Sequence, residues 1–143
     1  MTYVLDVNVL IALLDHGHIH HERATTWFIE TGRTSWATCP LTENGVLRIL
    51  GHVSYPGGPG SAAGAAELLM GMRDSGGHVF WPDEISLLDD EAVRLASVGS
   101  SSHLTDVYLL ALAVRHAAQL ATLDRRIPVV AVAGGAEALA LVT

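Results

Sequence analysis

The sequence contains no lysine, so all eight of its basic residues are arginines. This absence excludes functions that need a lysine, such as nucleotide binding by a P-loop lysine or catalysis through a Schiff base. The formal net charge of −7 at pH 7 argues against a protein that binds nucleic acid through a generally positive surface. An acidic chain can still act on a polyanion if divalent cations lie between its carboxylates and the phosphates.

Cysteine and long hydrophobic runs are also scarce. Cys39 is the only cysteine, so no disulfide can form within the chain. The longest strongly apolar run, residues 107–114, is too short to cross a bilayer, and the first residues lack the basic segment of a signal peptide. We therefore expect a cytoplasmic protein. Its 143 residues, half of them hydrophobic, fit one domain that covers residues 1–143.

Short apolar segments alternate with segments of helical periodicity along the chain. The strand candidates are residues 3–5, 34–39, 79–81, 120–123 and 127–132. The helix candidates are residues 7–14, about 18–31, 40–50, 62–74 and 89–96. Residues 100–106 begin a further, very apolar helix candidate that ends near residue 118. This alternation predicts an α/β fold, a three-layer α/β/α sandwich around a central parallel sheet of four to five strands. The apolar tail after residue 135 has no firm assignment.

Four acids lie at junctions between strands and helices. Asp6 follows the first strand, Glu43 and Asp106 each lie in the first turn of a helix, and Asp124 ends a strand. The preference of helix N-termini for acids explains any one of them. However, all strands of a parallel sheet end at one edge, so the four carboxylates should converge there. Carboxylate oxygens suit Mg²⁺ or Mn²⁺, which can activate water to attack phosphorus.

A cluster of four histidines lies between the first two predicted helices. These residues are His16, His18, His20 and His21. They could indicate a zinc site, but no cysteine is nearby, and one face of a helix offers only partners three or four residues apart. We favour the polar start of a helix over a metal site.

Four stretches of the sequence resemble the PIN-domain family, specifically the VapC-type toxins of toxin–antitoxin systems. They are residues 5–8 (LDVN), 41–45 (LTENG), 103–113 (HLTDVYLLALA) and 121–125 (ATLDR), and together the resemblance covers essentially the whole chain. It implies an endoribonuclease that depends on one or two Mg²⁺ or Mn²⁺ ions, and a small VapB-type antitoxin as its partner. It implies that Asp6, Glu43, Asp106 and Asp124 are the catalytic, metal-binding acids and that Asn8 helps to order the site. Assembly as a homodimer stays open.

The sequence departs from the family pattern after the fourth acid, and two other functions are alternatives to a ribonuclease. Many relatives carry a further acid and an aromatic residue after the fourth acid, whereas this chain has Arg125 and Arg126. These arginines either contact RNA phosphate or offset neighbouring carboxylates. A phosphatase of the haloacid-dehalogenase type also begins with an Asp after a strand, but it needs a second Asp where this chain has Asn8. A catalytically inactive, carboxylate-lined interaction domain is the other alternative.

Overall fold

A sheet of five parallel strands lies at the centre of the computed structural model, which describes residues 1–89 and 91–143. The strands are β1 (Tyr3–Leu5), β2 (Trp36–Thr38), β3 (His78–Phe80), β4 (Gln119–Thr122) and β5 (Leu139–Leu141). Their order across the sheet is β3-β2-β1-β4-β5, and every pair is parallel. The predicted parallel sheet of four to five strands is therefore confirmed.

Within the described residues, five α-helices cover the two faces of this sheet. They are α1 (Val7–Leu14), α2 (His21–Glu30), α3 (Pro40–Ile49), α4 (Ala62–Asp74) and α5 (Leu104–Arg115). Successive strand residues point to opposite faces. In β1, Val4 packs in a cluster with α5, whereas Leu5 packs in a second cluster with residues of α1, α3 and α4. These two buried clusters confirm the three-layer α/β/α arrangement.

The position of β1 determines where a site can form. After β1 the chain adds β2 and β3 on one side, and it returns through α5 to place β4 and β5 on the other. The strand order thus reverses at the boundary between β1 and β4. In open α/β sheets such a reversal leaves a crevice at the carboxyl ends of the two strands, because their helices lie on opposite faces. Asp6 and Asp124 follow the two strands that border this crevice.

The prediction of an edge strand at residues 127–132 is wrong. Residues Val129–Ala131 form a 3₁₀ turn, and Val132 makes only an isolated antiparallel bridge with Val93. The edge strand is instead β5, in the tail that had no assignment, and it pairs with β4. A parallel neighbour needs a crossover of a dozen or more residues, and a strand beginning five residues after β4 cannot make that crossover.

Two helix predictions also differ from the structure. The helix predicted at residues 89–96 does not form in its described part, where turns lead to a 3₁₀ turn at Leu95–Ser97. The backbone there bonds to a distant segment instead: the Arg94 amide donates to the carbonyl of Ala131, and the Ala133 amide donates to that of Ala92. Helix α2 starts at His21 rather than near residue 18. No helix in the described ranges is long and apolar enough to span a membrane.

Candidate metal centre

A cleft of about 380 Å³ opens at the carboxyl ends of β1 and β4. Its walls come from the segments that follow these strands, from α3 and from the start of α5. The polar side chains that line it are Asp6, Asn8, Asn44, Arg48, Ser102, His103, Thr105, Asp106, Asp124 and Arg126. Three of the four predicted acids, and also Asn8, are therefore brought together at the edge where the sequence placed them.

One nitrogen and two carboxylate donors come closest to each other in this cleft. Ligand atoms of His103, Asp106 and Asp124 lie within 4.8 Å of one another, and each residue is partly buried. It is the one group of three or more potential metal ligands within residues 1–89 and 91–143. The sequence prediction missed His103, although a signal was present: it precedes Asp106 by three residues at the start of α5, which is one turn of a helix.

Asp6 is the most buried acid of the site, with 5% of its surface exposed. Burial raises the pKa of Asp6, against the opposing effect of a hydrogen bond from Thr122. The fully buried Thr122 hydroxyl donates to Asp6 Oδ2 at 2.9 Å and accepts the backbone N–H of Asp124 at 3.0 Å. Thr122 therefore fixes two of the acids at once. The sequence prediction missed this residue because nothing distinguishes it locally from an ordinary strand threonine.

The carboxyl group of Asp106 has no hydrogen-bond partner within the described part of the chain, and it faces two other acids. Burial raises its pKa from 3.8 to about 7, and the charges of Asp6 and Asp124 add to the shift. A carboxylate in this position is costly when no cation is present, because neither water nor a positive side chain fully offsets its charge. A bound divalent cation would remove that cost, so this donor set fits a metal ion.

Asp124 is held differently, by the residue two positions after it. Its Oδ1 atom accepts the backbone N–H of Arg126 at 2.8 Å and the Nε–H of the same residue at 3.2 Å. These bonds hold the pKa of Asp124 below its usual value, the backbone bond most strongly. Arg126 thus offsets a carboxylate, one of the two roles predicted for the arginine pair. Arg125 has no carboxylate within ion-pair distance in the described chain.

Glu43 is the one predicted acid that the structure does not bring into the cleft. Its Oε2 atom accepts the Thr38 hydroxyl at 2.7 Å and pairs with the Arg73 guanidinium at 3.1 Å. Thr38 also bonds to His78 Nε2 at 2.7 Å. Because the hydroxyl donates to Glu43, this ring nitrogen must be the donor to Thr38. We call these four residues, Thr38, Glu43, Arg73 and His78, the Glu43 network.

The periodicity of α3 explains why Glu43 points away. Five residues of α3 face the cleft, spaced i, i+3, i+4, i+7 and i+8: Leu41, Asn44, Gly45, Arg48 and Ile49. Glu43 lies off this stripe, so its side chain extends toward α4 and β3 instead. The helix itself starts as predicted, with Pro40 in its first turn and a capping box between Cys39 and Thr42. The stripe was readable from the sequence, but its direction relative to the sheet was not.

Comparison with known proteins identifies the family of this arrangement. The profile of the PIN domain matches residues 3–133, which is most of the chain. The chain belongs to the PIN-domain family. Ribonuclease VapC44 of Mycobacterium tuberculosis is 41% identical over 134 residues, or 94% of each chain. Ribonuclease VapC39 of the same organism is 40% identical over 139 residues, covering 97% of this chain and all of that protein, and Ribonuclease VapC38 is 39% identical over 121 residues, 85% and 84%.

In this PIN domain the histidine cluster lies beside the metal centre rather than forming a second one. His16, His18 and His20 lie in the turns before α2, and His21 is its first residue. No three of them bring ligand atoms together in the part of the chain that the structure describes. The predicted polar start of the helix is displaced, because α2 begins at the last of the four histidines.

Proposed function

We propose that this PIN domain is a metal-dependent endoribonuclease that acts as the toxin of a VapBC-type toxin–antitoxin pair. The observation that carries the proposal is the convergence of Asp6, Asp106 and Asp124 in one cleft of a chain about 40% identical to proteins named VapC ribonucleases. The three acids come from three separate segments of the sequence. Independent helix caps have no reason to meet in this way, so a shared ligand is the simplest account of their placement.

The donor set favours Mg²⁺ or Mn²⁺ as that ligand. Asp6, Asp106 and Asp124 would supply carboxylate oxygens, which both ions accept. His103 would add a nitrogen, which Mn²⁺ tolerates better than Mg²⁺ does. When bound, such ions would lower the pKa of water and stabilise the negative charge on the oxygens of the reacting phosphate group. The proposed site holds one or two such ions.

The other residues of the cleft can hold and orient the RNA backbone. Arg48 and Arg126 bring positive charge to the rim of an otherwise acidic site, where a phosphate group would approach. Asn8 offers an amide that can accept and donate hydrogen bonds. Thr122 keeps Asp6 oriented through its hydroxyl hydrogen bond, so this acid presents its other oxygen to the cleft. These side chains position the phosphodiester against the acids.

The role of Glu43 as a fourth metal ligand stays a prediction. Its carboxylate is occupied by Thr38 and Arg73, so the metal proposal rests on the three aspartates and His103. The proposed nuclease domain comprises the whole chain, residues 1–143. Strand β5 supports this extent, because it lies beyond the family match at residue 133 and still pairs with β4.

The proposed partner is a VapB-type antitoxin in the cytoplasm. An arginine or lysine of the antitoxin could pair with the cleft carboxylates and exclude the metal, since charge-assisted hydrogen bonds to paired carboxylates are strong. Co-expression with a cognate VapB-type antitoxin should then relieve growth inhibition and yield a stable complex. If the protein expressed alone is harmless, the toxin assignment fails even when cleavage is observed in vitro.

The nuclease activity is tested with purified protein and a mixture of cellular RNAs. We expect cleavage with Mg²⁺ or Mn²⁺, complete loss with EDTA, and recovery when either ion is returned in excess. A small phosphate ester serves as the second substrate. Release of phosphate from that ester without RNA cleavage would support a phosphatase, and absence of both activities with retained partner binding would support an inactive interaction domain.

A further inference from the structure

A second cleft adjoins the metal centre and has no role in the proposal so far. It measures about 710 Å³, and its lining includes His18, Ile19, His20 and Arg125. It shares Asn8, Asp124 and Arg126 with the metal-centre cleft. The two clefts are therefore continuous across Asp124. An extended polymer whose backbone passes the acids would continue directly into this second space, which we call the histidine cleft.

The wall of the histidine cleft is a short loop that the protein holds in place. Asp15 accepts the Gly17 backbone N–H at 3.0 Å and the Tyr55 hydroxyl at 2.6 Å. At the other end, His21 Nδ1 bonds to the carbonyl of Ala12 at 2.7 Å, so this nitrogen carries the proton. These bonds hold both ends of the loop that carries Ile19. A pre-formed wall binds a ligand at less entropic cost than a mobile loop does.

Ile19 is the most unusual side chain of this wall. It is an apolar side chain with 88% of its surface exposed, in a loop whose other residues are mostly polar or charged. The rings of His18 and His20 lie nearby, with centroids 5.6 Å apart. His20 Nδ1 accepts a hydrogen bond from Arg23 at 2.8 Å, and partial desolvation, more than the charge of Arg23, lowers its pKa. An apolar tip beside a neutral imidazole is a surface on which a nucleobase can pack.

The opposite side of the histidine cleft carries a positive charge that no carboxylate offsets. Arg126 is bound to Asp124, but Arg125 is exposed and has no acidic partner in the described chain. In a protein with a net charge of −7, an arginine without an acidic partner gives the histidine cleft a local positive charge. Its planar guanidinium suits a phosphate group. The cleft thus combines a phosphate contact and a base-packing surface, the two elements of single-strand recognition.

We infer that the histidine cleft binds the nucleotides that flank the cleaved phosphodiester of a single-stranded RNA. Arg125 contacts a backbone phosphate, and Ile19 with the neighbouring imidazoles packs against an unstacked base. This inference rests on the proposed ribonuclease function, and it adds residues that would influence where the RNA is cut.

The test measures RNA binding without cleavage. The parent protein is the Asp106→Asn variant, with EDTA-treated wild type as a second parent in case the substitution disturbs the cleft. The probe is a fluorescein-labelled single-stranded RNA of about twelve nucleotides and mixed sequence, within the usual range of single-strand sites. Fluorescence anisotropy gives Kd at several salt concentrations, and circular dichroism checks that each variant remains folded.

Two variants have matched controls elsewhere on the surface. Ile19→Ala should raise Kd about fivefold or more, which is the effect of losing one base contact. Leu88→Ala, where the leucine is also 88% exposed, should leave Kd unchanged. Arg125→Ala should raise Kd and reduce the slope of log K against log salt by about 0.7, as expected for one lost phosphate contact. Arg33→Ala, which removes another exposed arginine, should change neither.

The results separate this inference from the proposed function. If wild type cleaves RNA with Mg²⁺ but Ile19→Ala and Arg125→Ala bind the probe like their parent, the histidine cleft is not an RNA site and the nuclease assignment stands. The same conclusion follows if these variants weaken only the binding of a co-expressed protein partner. If wild type cleaves no RNA with any metal and neither parent binds the probe, both proposals fall. Altered cleavage positions in Ile19→Ala, with an unchanged Mg²⁺-induced rise in Tm, would support the inference.

Discussion

Two threonines at the same edge of the sheet orient two acids with opposite consequences. Thr122 ends β4 and donates to Asp6 at 2.9 Å, and Thr38 ends β2 and donates to Glu43 at 2.7 Å. Both threonines are fully buried. Glu43 also receives Arg73, so its charge is matched within the protein. Asp6 faces further acids instead, which leaves negative charge available to an external cation.

The difference shows that lying at one edge of a sheet does not make a site. Asp6 and Asp124 follow neighbouring strands that border the crevice, and Asp106 enters it from α5. Glu43 follows a strand on the far side of β1, on a helix whose cleft-facing stripe excludes it. An unmatched charge beside the topological reversal distinguishes Asp6 and Asp106 from Glu43, whose charge Arg73 matches.

The largest expected effect comes from comparing the removal of one charge in the cleft, at Asp106, with the removal of the charge of Glu43. Asp106→Asn should reduce RNA cleavage by about 10³-fold, because the loss of a metal ligand removes several kcal/mol of transition-state stabilisation. It should also abolish the Mg²⁺-induced stabilisation of wild type, which is roughly 2.7 kcal/mol at a hundredfold excess over Kd. Glu43→Gln should keep most of both. Cleavage rates and thermal melts with and without Mg²⁺ provide the measurements.

The opposite result would be equally informative. If Glu43→Gln loses metal binding as fully as Asp106→Asn does, the carboxylate must leave Arg73 and reach the cleft when the ion binds. The original prediction of four ligands would then be correct, and the ion pair would belong only to the metal-free protein.

The two threonines give a sharper test with smaller effects. Thr122→Val should lower metal affinity about tenfold, since residues that orient metal ligands typically contribute 10–100-fold. Thr38→Val should leave metal affinity unchanged. Both variants should lose about 1–2 kcal/mol of stability, because each leaves a carboxylate with one hydrogen bond fewer. Titration calorimetry measures the metal affinity, and urea denaturation measures the stability. Equal losses of metal affinity in the two variants would contradict the distinction between Asp6 and Glu43.

The Glu43–Arg73 and Asp124–Arg126 ion pairs should differ in strength by a smaller amount still. Glu43 and Arg73 have side chains that are 21% and 37% exposed, whereas Arg126 beside Asp124 is 83% exposed. After allowing for solvent screening, a double-mutant cycle for Glu43–Arg73 should give a coupling of about 0.5–1 kcal/mol. The Asp124–Arg126 side-chain pair should give a value near zero in the same experiment. A larger coupling for the second pair would contradict the view that Glu43 is the matched charge.

Much of the fold was predictable because its signals are local. The periodic apolar residues of α1, α3 and α4 gave their bounds within a residue, and the alternation of elements gave a parallel sheet. The failures occurred where distant segments decide the structure. Residues 92–94 bond to residues 131–133 instead of forming a helix. Strand β5 is identified by the length of its crossover rather than by its own short sequence.

The site was predictable to a similar extent. Asp6, Asp106 and Asp124 converge because strand ends and topology bring them together, and both follow from the sequence pattern. Glu43 lies outside this cleft in the structure, because the rotation of α3 about its axis depends on packing against α4, which no local pattern encodes. His103 and Thr122 were overlooked because a helix-start histidine and a strand threonine acquire a role only when an acid lies opposite them in space.

A further expected effect is a dependence of stability on pH that arises from the acids of the cleft. The pKa of Asp106 is raised from 3.8 to about 7 in the metal-free folded protein, so the folded state binds this proton more tightly than the unfolded state does. The contribution of this group to stability is therefore most favourable below pH 4, decreases between about pH 4 and pH 7, and is constant above that. The raised pKa of Asp6 acts in the same direction, and the lowered pKa of Asp124 acts only below its usual value.

Asp106→Asn should make the metal-free protein more stable than wild type at pH 8. It should also reduce the loss of stability between pH 4 and pH 7, as measured by urea denaturation in EDTA. Because protons and metal compete for Asp106, Mg²⁺ should stabilise wild type more at pH 8 than at pH 6. If the difference between the two proteins does not change with pH, the charge of Asp106 is already matched in the folded state and the contrast with Glu43 disappears.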